Sequence, residues 1–122
     1  MPTLLKNWVN VPPGSELTVQ VSGELPSSGT WQRERSSDGA PLESGTASDA
    51  MLRQTWRQHV DDDQIVSIDV ALTFVDAAQK SATVEARVTR PDGSVHGKPF
   101  THTATGQAGD AGFNYLVSAQ AR

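Results

Sequence analysis

The sequence predicts an all-β domain, an antiparallel β-sandwich of about seven strands, and three observations predict it. The first is the period-two alternation of residues 65–75, IVSIDVALTFV, where Ile68, Val70, Leu72 and Phe74 share one face and Ser67, Asp69, Ala71 and Thr73 the other. The second is its resumption in residues 81–89, SATVEARVT, with Ala82, Val84, Ala86 and Val88 set against Thr83, Glu85, Arg87 and Thr89. Successive side chains leave a strand on opposite faces, so this alternation marks strands with one face in a core and one in water. The third is composition: 10 Gly and 7 Pro among 122 residues, with 36% hydrophobic residues, suit many turns between short strands.

Taken in order, residues 3–11, TLLKNWVNV, are apolar enough for a first strand, with Trp8 expected in the core. Pro12, Pro13 and Gly14 end it, because proline brings no amide hydrogen to a ladder. A second strand covers 16–22, with Leu17, Val19 and Val21 pointing inward. From about 26 to 48 Ser, Gly, Asp, Glu and Arg dominate, so a long polar loop is expected. Its part GTWQRER would place Trp31, Arg33 and Arg35 on one face if extended as a short edge strand. Within 49–60, Leu52, Trp56 and Val60 recur every fourth residue. That spacing suits a short helix capped by Ser48 or Asp49 and equally one face of a strand. The strand is preferred, turned by Asp61 to Gln64 into the 65–75 strand as a hairpin. The 65–75 and 81–89 strands, joined by DAAQK, are expected to pair as a second antiparallel hairpin. Arg90-Pro91-Asp92-Gly93-Ser94 has the chemistry of a type I turn. The return strand after it carries Gly97 and Pro99 and so belongs at an edge. Residues 113–121 make the last strand, with Phe113, Tyr115 and Val117 on one face.

Strand count and alternation resemble immunoglobulin-like sandwiches in the general sense, without their Cys-Trp-Cys pattern. The length fits a single domain spanning 1–122. With no cysteine, disulfides, zinc–thiolate sites and thiol nucleophiles are excluded. A net charge of −4 and a pI near 5.2 argue against nucleic acid, whose phosphates require a concentrated positive surface. No apolar run approaches the roughly 20 residues that span a bilayer. The start, MPTLLKNWVNVPP, lacks a basic region and a continuous apolar stretch, so no signal peptide is expected and the cytoplasm is the default location.

Function is less legible. Trp31, Arg33, Arg35, Arg53, Trp56 and Arg57 lie in or near the least core-like third of the chain, and Trp and Arg are enriched where partners bind. They suggest a non-enzymatic recognition or assembly module that contacts a protein partner through the 27–60 region. The alternative is a carbohydrate-binding, lectin-like domain that stacks sugars on Trp31 or Trp56. Against both stands a plainer role, with Trp56 in the core and Trp31 as a loop anchor. Asp61 and Asp63, with Asp62 between them, are metal candidates that calcium would suit. Ile65 and Val66 break the EF-hand spacing, which favours a polar turn and no cofactor. His96 and His102 would stand about 20 Å apart on a straight strand, too far for one ion. No G-x-S-x-G elbow is present, and Gly106, Gly109 and Gly112 precede a strand, so a hydrolase or a phosphate loop has no motif behind it. Residues 113–120 are expected to form an exposed edge strand through which copies pair into a homo-oligomer.

Overall fold

The structure, a computed structural model, describes residues 3–23, 27–51, 54–74, 77–108 and 113–121. These form β1 (Thr3–Val11), β2 (Ser15–Gly23), β3 (Ser27–Arg35), β4 (Pro41–Met51), β5 (Gln54–Val60), β6 (Gln64–Leu72), β7 (Lys80–Thr89), β8 (Phe100–Gly106) and β9 (Phe113–Ala121). A five-stranded sheet in the order β1-β9-β6-β3-β4 packs on a four-stranded sheet in the order β5-β2-β7-β8. The chain is a β-sandwich, antiparallel throughout except where β1 runs parallel to β9. Among the described residues no helix is long and apolar enough to cross a membrane.

The alternation that marks β6 and β7 builds the core. Val66, Ile68, Val70 and Leu72 of β6 and Ala82, Val84, Ala86 and Val88 of β7 are buried. They meet Leu17, Val19 and Val21 of β2 and Tyr115, Val117 and Ala119 of β9 in one cluster. Burying each larger aliphatic side chain is worth about 1.5–3 kcal/mol, so this two-sided layer is the main source of stability. The turn at residues 90–94 closes as expected, with the Gly93 amide donating to Arg90 O at 2.9 Å and the Arg90 amide to Ser94 O at 2.7 Å. After it Val95 makes a single bridge to Thr89, and β8 resumes at the sheet edge beyond Gly97 and Pro99.

Several expectations are corrected. The polar stretch 26–48 is not a long loop: β3 and β4 form a hairpin there, and β3 lies inside the five-stranded sheet between β6 and β4. Its low apolar content is tolerated because glycine and tryptophan divide the packing between them. A Cβ at Gly29 would stand 2.7 Å from Trp56 Cζ2, and one at Gly45 2.5 Å from Trp31 Nε1. Each indole therefore lies on backbone where a smaller side chain would otherwise point. Residues 54–60 are strand, not helix, while Leu52 lies outside the described residues. Neither proposed hairpin around β6 exists, because β5 and β7 belong to the other sheet. Both connections cross the sandwich, which lets the apolar faces of consecutive strands meet instead of lying side by side. Trp8 is 55% exposed, because Leu5, Asn7, Val9 and Val11 take the inward positions of β1. Finally, β9 is no free edge: β1 and β6 cover it on both sides, so subunits cannot pair through 113–120.

Gly29 and Gly45 are predicted to respond differently to a methyl group. Gly29→Ala pushes against a buried Trp56 and against Asp69 O, 3.0 Å from the new carbon, and is expected to cost about 2–3 kcal/mol in urea unfolding. Gly45→Ala places its new carbon 2.5 Å from Nε1 of the half-buried Trp31, but Gly45 lies on the edge strand β4, which can shift outward, so the cost is expected to be smaller, about 1 kcal/mol.

Candidate functional site

The side chains singled out in the sequence separate into different tasks. Trp56 is 5% exposed and offers no face for stacking, and Trp31 packs against the core beside Gly45. Arg33 points between the sheets. Its Nη2 donates to Gln58 Oε1 at 3.2 Å and to His59 O at 3.0 Å, both on β5, while Nη1 reaches Glu43 Oε2 at 3.5 Å. Arg33 thus ties β3 to the opposite sheet. Arg35 pairs with Asp38 at 2.9 Å inside the turn after β3, and Arg57 is exposed on the outer face of the four-stranded sheet, opposite Thr18. Arg53 lies outside the described residues. The structure brings Trp31, Arg33 and Trp56 into the packing between the sheets and leaves Arg35 and Arg57 apart from them.

The aspartate run also acts locally. Asp63 has a positive φ of 57° and accepts Ser36 Oγ at 2.7 Å and Ser37 Oγ at 2.8 Å, which fastens the β5–β6 turn to the β3–β4 turn. These hydroxyls hold its carboxyl below the ordinary value of 3.8. Asp38 is likewise lowered, first by the Ala40 amide. Asp61 is exposed, and its amide donates to Gln64 Oε1. Among the described residues no three His, Asp or Glu side chains gather in a way that could hold a metal ion. His96 is held by Arg90 Nε at 3.1 Å from Nδ1 and by Asn10 O at 2.9 Å from Nε2. Since the arginine can only donate, Nε2 carries the proton. His102 lies against Tyr115, ring centroids 5.2 Å apart.

Among the described residues, two of the depressions are open to solvent and bear on the site. One, of about 260 Å³, lies between β1 and the β7–β8 side of the sandwich, with apolar walls from Val9, Leu17, Val88 and Phe100. The other, of about 230 Å³, lies on the outer face of the five-stranded sheet and is lined by Thr30, Trp31, Gln32, Ser67, Asp69 and Leu116. This second one has chemical direction. Strand register sets Lys6, Leu116, Asp69 and Thr30 in one row across the sheet, and Trp8, Ser118, Ser67 and Gln32 in the next. Ser67 and Ser118 share a hydrogen bond at 2.8 Å.

Asp69 is the anomaly in this surface. Its Oδ1 is shut off from water with no hydrogen-bond partner, and among the described residues no cation pairs with it. Burial raises its carboxyl above the ordinary 3.8. A buried polar atom without a partner costs free energy, more so when it carries charge, and is tolerated where something else gains from it. The signal was present in the sequence, since Asp69 stands mid-way along the most regular strand. Only the sheet order shows that this strand is central and its outer face half-covered.

No protein-family model matches this chain, and comparison with curated proteins and with solved structures finds no match either.

Asp69→Asn is predicted to stabilise the protein at pH 7 by ~1 kcal/mol, a rise of about 4 °C in Tm by calorimetry. The folded state holds the Asp69 proton more tightly than the unfolded chain does, so the penalty of the ionised form is relieved as pH falls through the raised value towards 3.8. The gain from the substitution should shrink over that window. Asp38, Asp63 and Asp92 act with the opposite sign. Their lowered values stabilise the fold above 3.8, and that contribution is lost as pH falls further.

Proposed function

We propose that this chain is a non-enzymatic recognition module that contacts a protein partner through the outer face of its five-stranded sheet. The 27–60 region takes part through Thr30 and Gln32 of β3 and Ser44 of β4. The observation that carries the reading is Asp69. It is a carboxylate that lines an open depression, is raised in pKa by burial and has an oxygen, Oδ1, with no partner among the described residues. A group kept at such a cost on a sheet face fits binding better than folding. The hydroxyls and amide around it give the orienting contacts that a recognition surface needs.

A second reading, carbohydrate binding, is favoured by a different tryptophan from those the sequence pointed to. Trp8 is exposed on this same face, one row from Asp69, and presents an indole on which a sugar ring can stack.

Panning a phage-displayed random peptide library on the immobilised protein separates the two. The protein-partner reading expects peptides whose binding is lost in Gln32→Lys and Ser67→Arg, which fill the depression, and kept in Arg57→Glu on the opposite sheet. Peptides indifferent to the first two substitutions, or none selected, would overturn it. Glycan-array binding that Trp8→Ala abolishes would establish the second reading in its place.

A further inference from the structure

We infer that the depression around Asp69 receives the guanidinium of an arginine presented by the protein partner. The inference rests on the reading of this face as the binding surface and adds the chemistry of what enters it.

The lining is rich in acceptors and lacks a cation. Asp69 supplies a carboxylate, Gln32 an amide oxygen, and Thr30 and Ser67 hydroxyl oxygens. The nearest cation in the row, Lys6, stands two strands from Asp69 with Leu116 between them. Because Oδ1 is sealed and unpartnered, compensation for the charge has to reach the carboxylate from the depression that Asp69 lines. A neutral hydroxyl from a polyol would give a hydrogen bond and leave the charge in place. A cation gives both, and charge-assisted hydrogen bonds are about twice as strong as neutral ones.

Between the two basic side chains, arginine fits better. Its planar fork carries five donors, enough for the carboxylate, the amide oxygen and a hydroxyl at once, whereas an ammonium has three in a compact cluster. The guanidinium is also the more weakly hydrated, which suits a half-enclosed site. Leu116 gives the aliphatic stem an apolar wall. The chain's net charge of −4 favours approach of a basic segment.

The test is an NMR titration of the ¹⁵N-labelled protein with acetyl-Gly-Arg-Gly-amide, with the same peptide carrying citrulline, and with methylguanidinium chloride. Citrulline keeps the shape of arginine and removes the charge. The expected result is saturable movement of the Thr30, Gln32, Ser67, Asp69 and Leu116 amides with the arginine peptide and none with citrulline. Methylguanidinium should move the same amides more weakly, which marks the head group as the recognised part. Asp69→Asn should weaken the response about tenfold or more, and Gln32→Lys, which places an ammonium at the mouth, should abolish it independently. Equal responses to arginine and citrulline, a response that survives Asp69→Asn, or still amides throughout the depression would overturn the inference. Selected peptides that bind this face without any basic residue would overturn it too, while leaving the binding face itself in place.

Discussion

The contact of the Trp56 indole with the bare backbone of Gly29 fixes how β5 of one sheet meets β3 of the other. Trp56 belongs to β5 at the edge of one sheet, and Gly29 to β3 inside the other. With no Cβ in the way, the Trp56 indole reaches the backbone of the facing sheet and fills the space that a strand poor in aliphatic residues leaves open. The same place lies against Asp69 O on β6, so the contact also supports the strand that carries the candidate site. Arg33 runs alongside, hydrogen-bonded to Gln58 and His59 of β5. Hydrophobic packing and a polar clasp thus join β3 to β5 where no ladder can.

This arrangement explains why the turns carry so much of the polar chemistry. When consecutive strands cross between sheets, their connections must span the layer, and backbone ladders cannot fix them. Asp63, in the left-handed region, takes two serine hydroxyls from the β3–β4 turn, and the Ser36 amide donates to Asp63 O at 2.9 Å. At the other side His96 bonds Asn10 of β1 and Arg90 beside the β7 turn. Local polar contacts at the ends and apolar packing in the middle leave the outer faces with few structural contacts, such as the Ser67–Ser118 and Thr83–Thr103 hydrogen bonds. On one of these faces, Asp69 carries a buried oxygen that no described residue satisfies.

Much of the fold was legible in the sequence, and the part that was not has a physical cause. Period-two alternation located β2, β6, β7 and β9 and told their inner faces from their outer ones, because burial acts on every second residue. It carries no information on which strands are neighbours, so β5, β6 and β7 looked like hairpins although they alternate between sheets. β4 was hidden, and β3 showed only as a possible edge strand over 29–35, because glycine and tryptophan do the work there that valine and isoleucine do elsewhere. Trp8 was misplaced by its hydrophobicity, which outweighed the parity of Leu5, Val9 and Val11. The site was obscured for a similar reason: Trp31, Trp56 and Arg33 are conspicuous residue types spent on packing. Asp69 is an ordinary residue made unusual by the strands on either side of it.

The most direct measurement is an NMR titration of the Asp69 carboxyl carbon in the protein free of any ligand. If the charge has no compensation within the fold, its midpoint lies above the ordinary aspartate value of 3.8. A midpoint at or below 3.8 would mean that the protein itself already supplies hydrogen bonds or charge to this carboxylate. The depression would then have no unmet demand for a ligand.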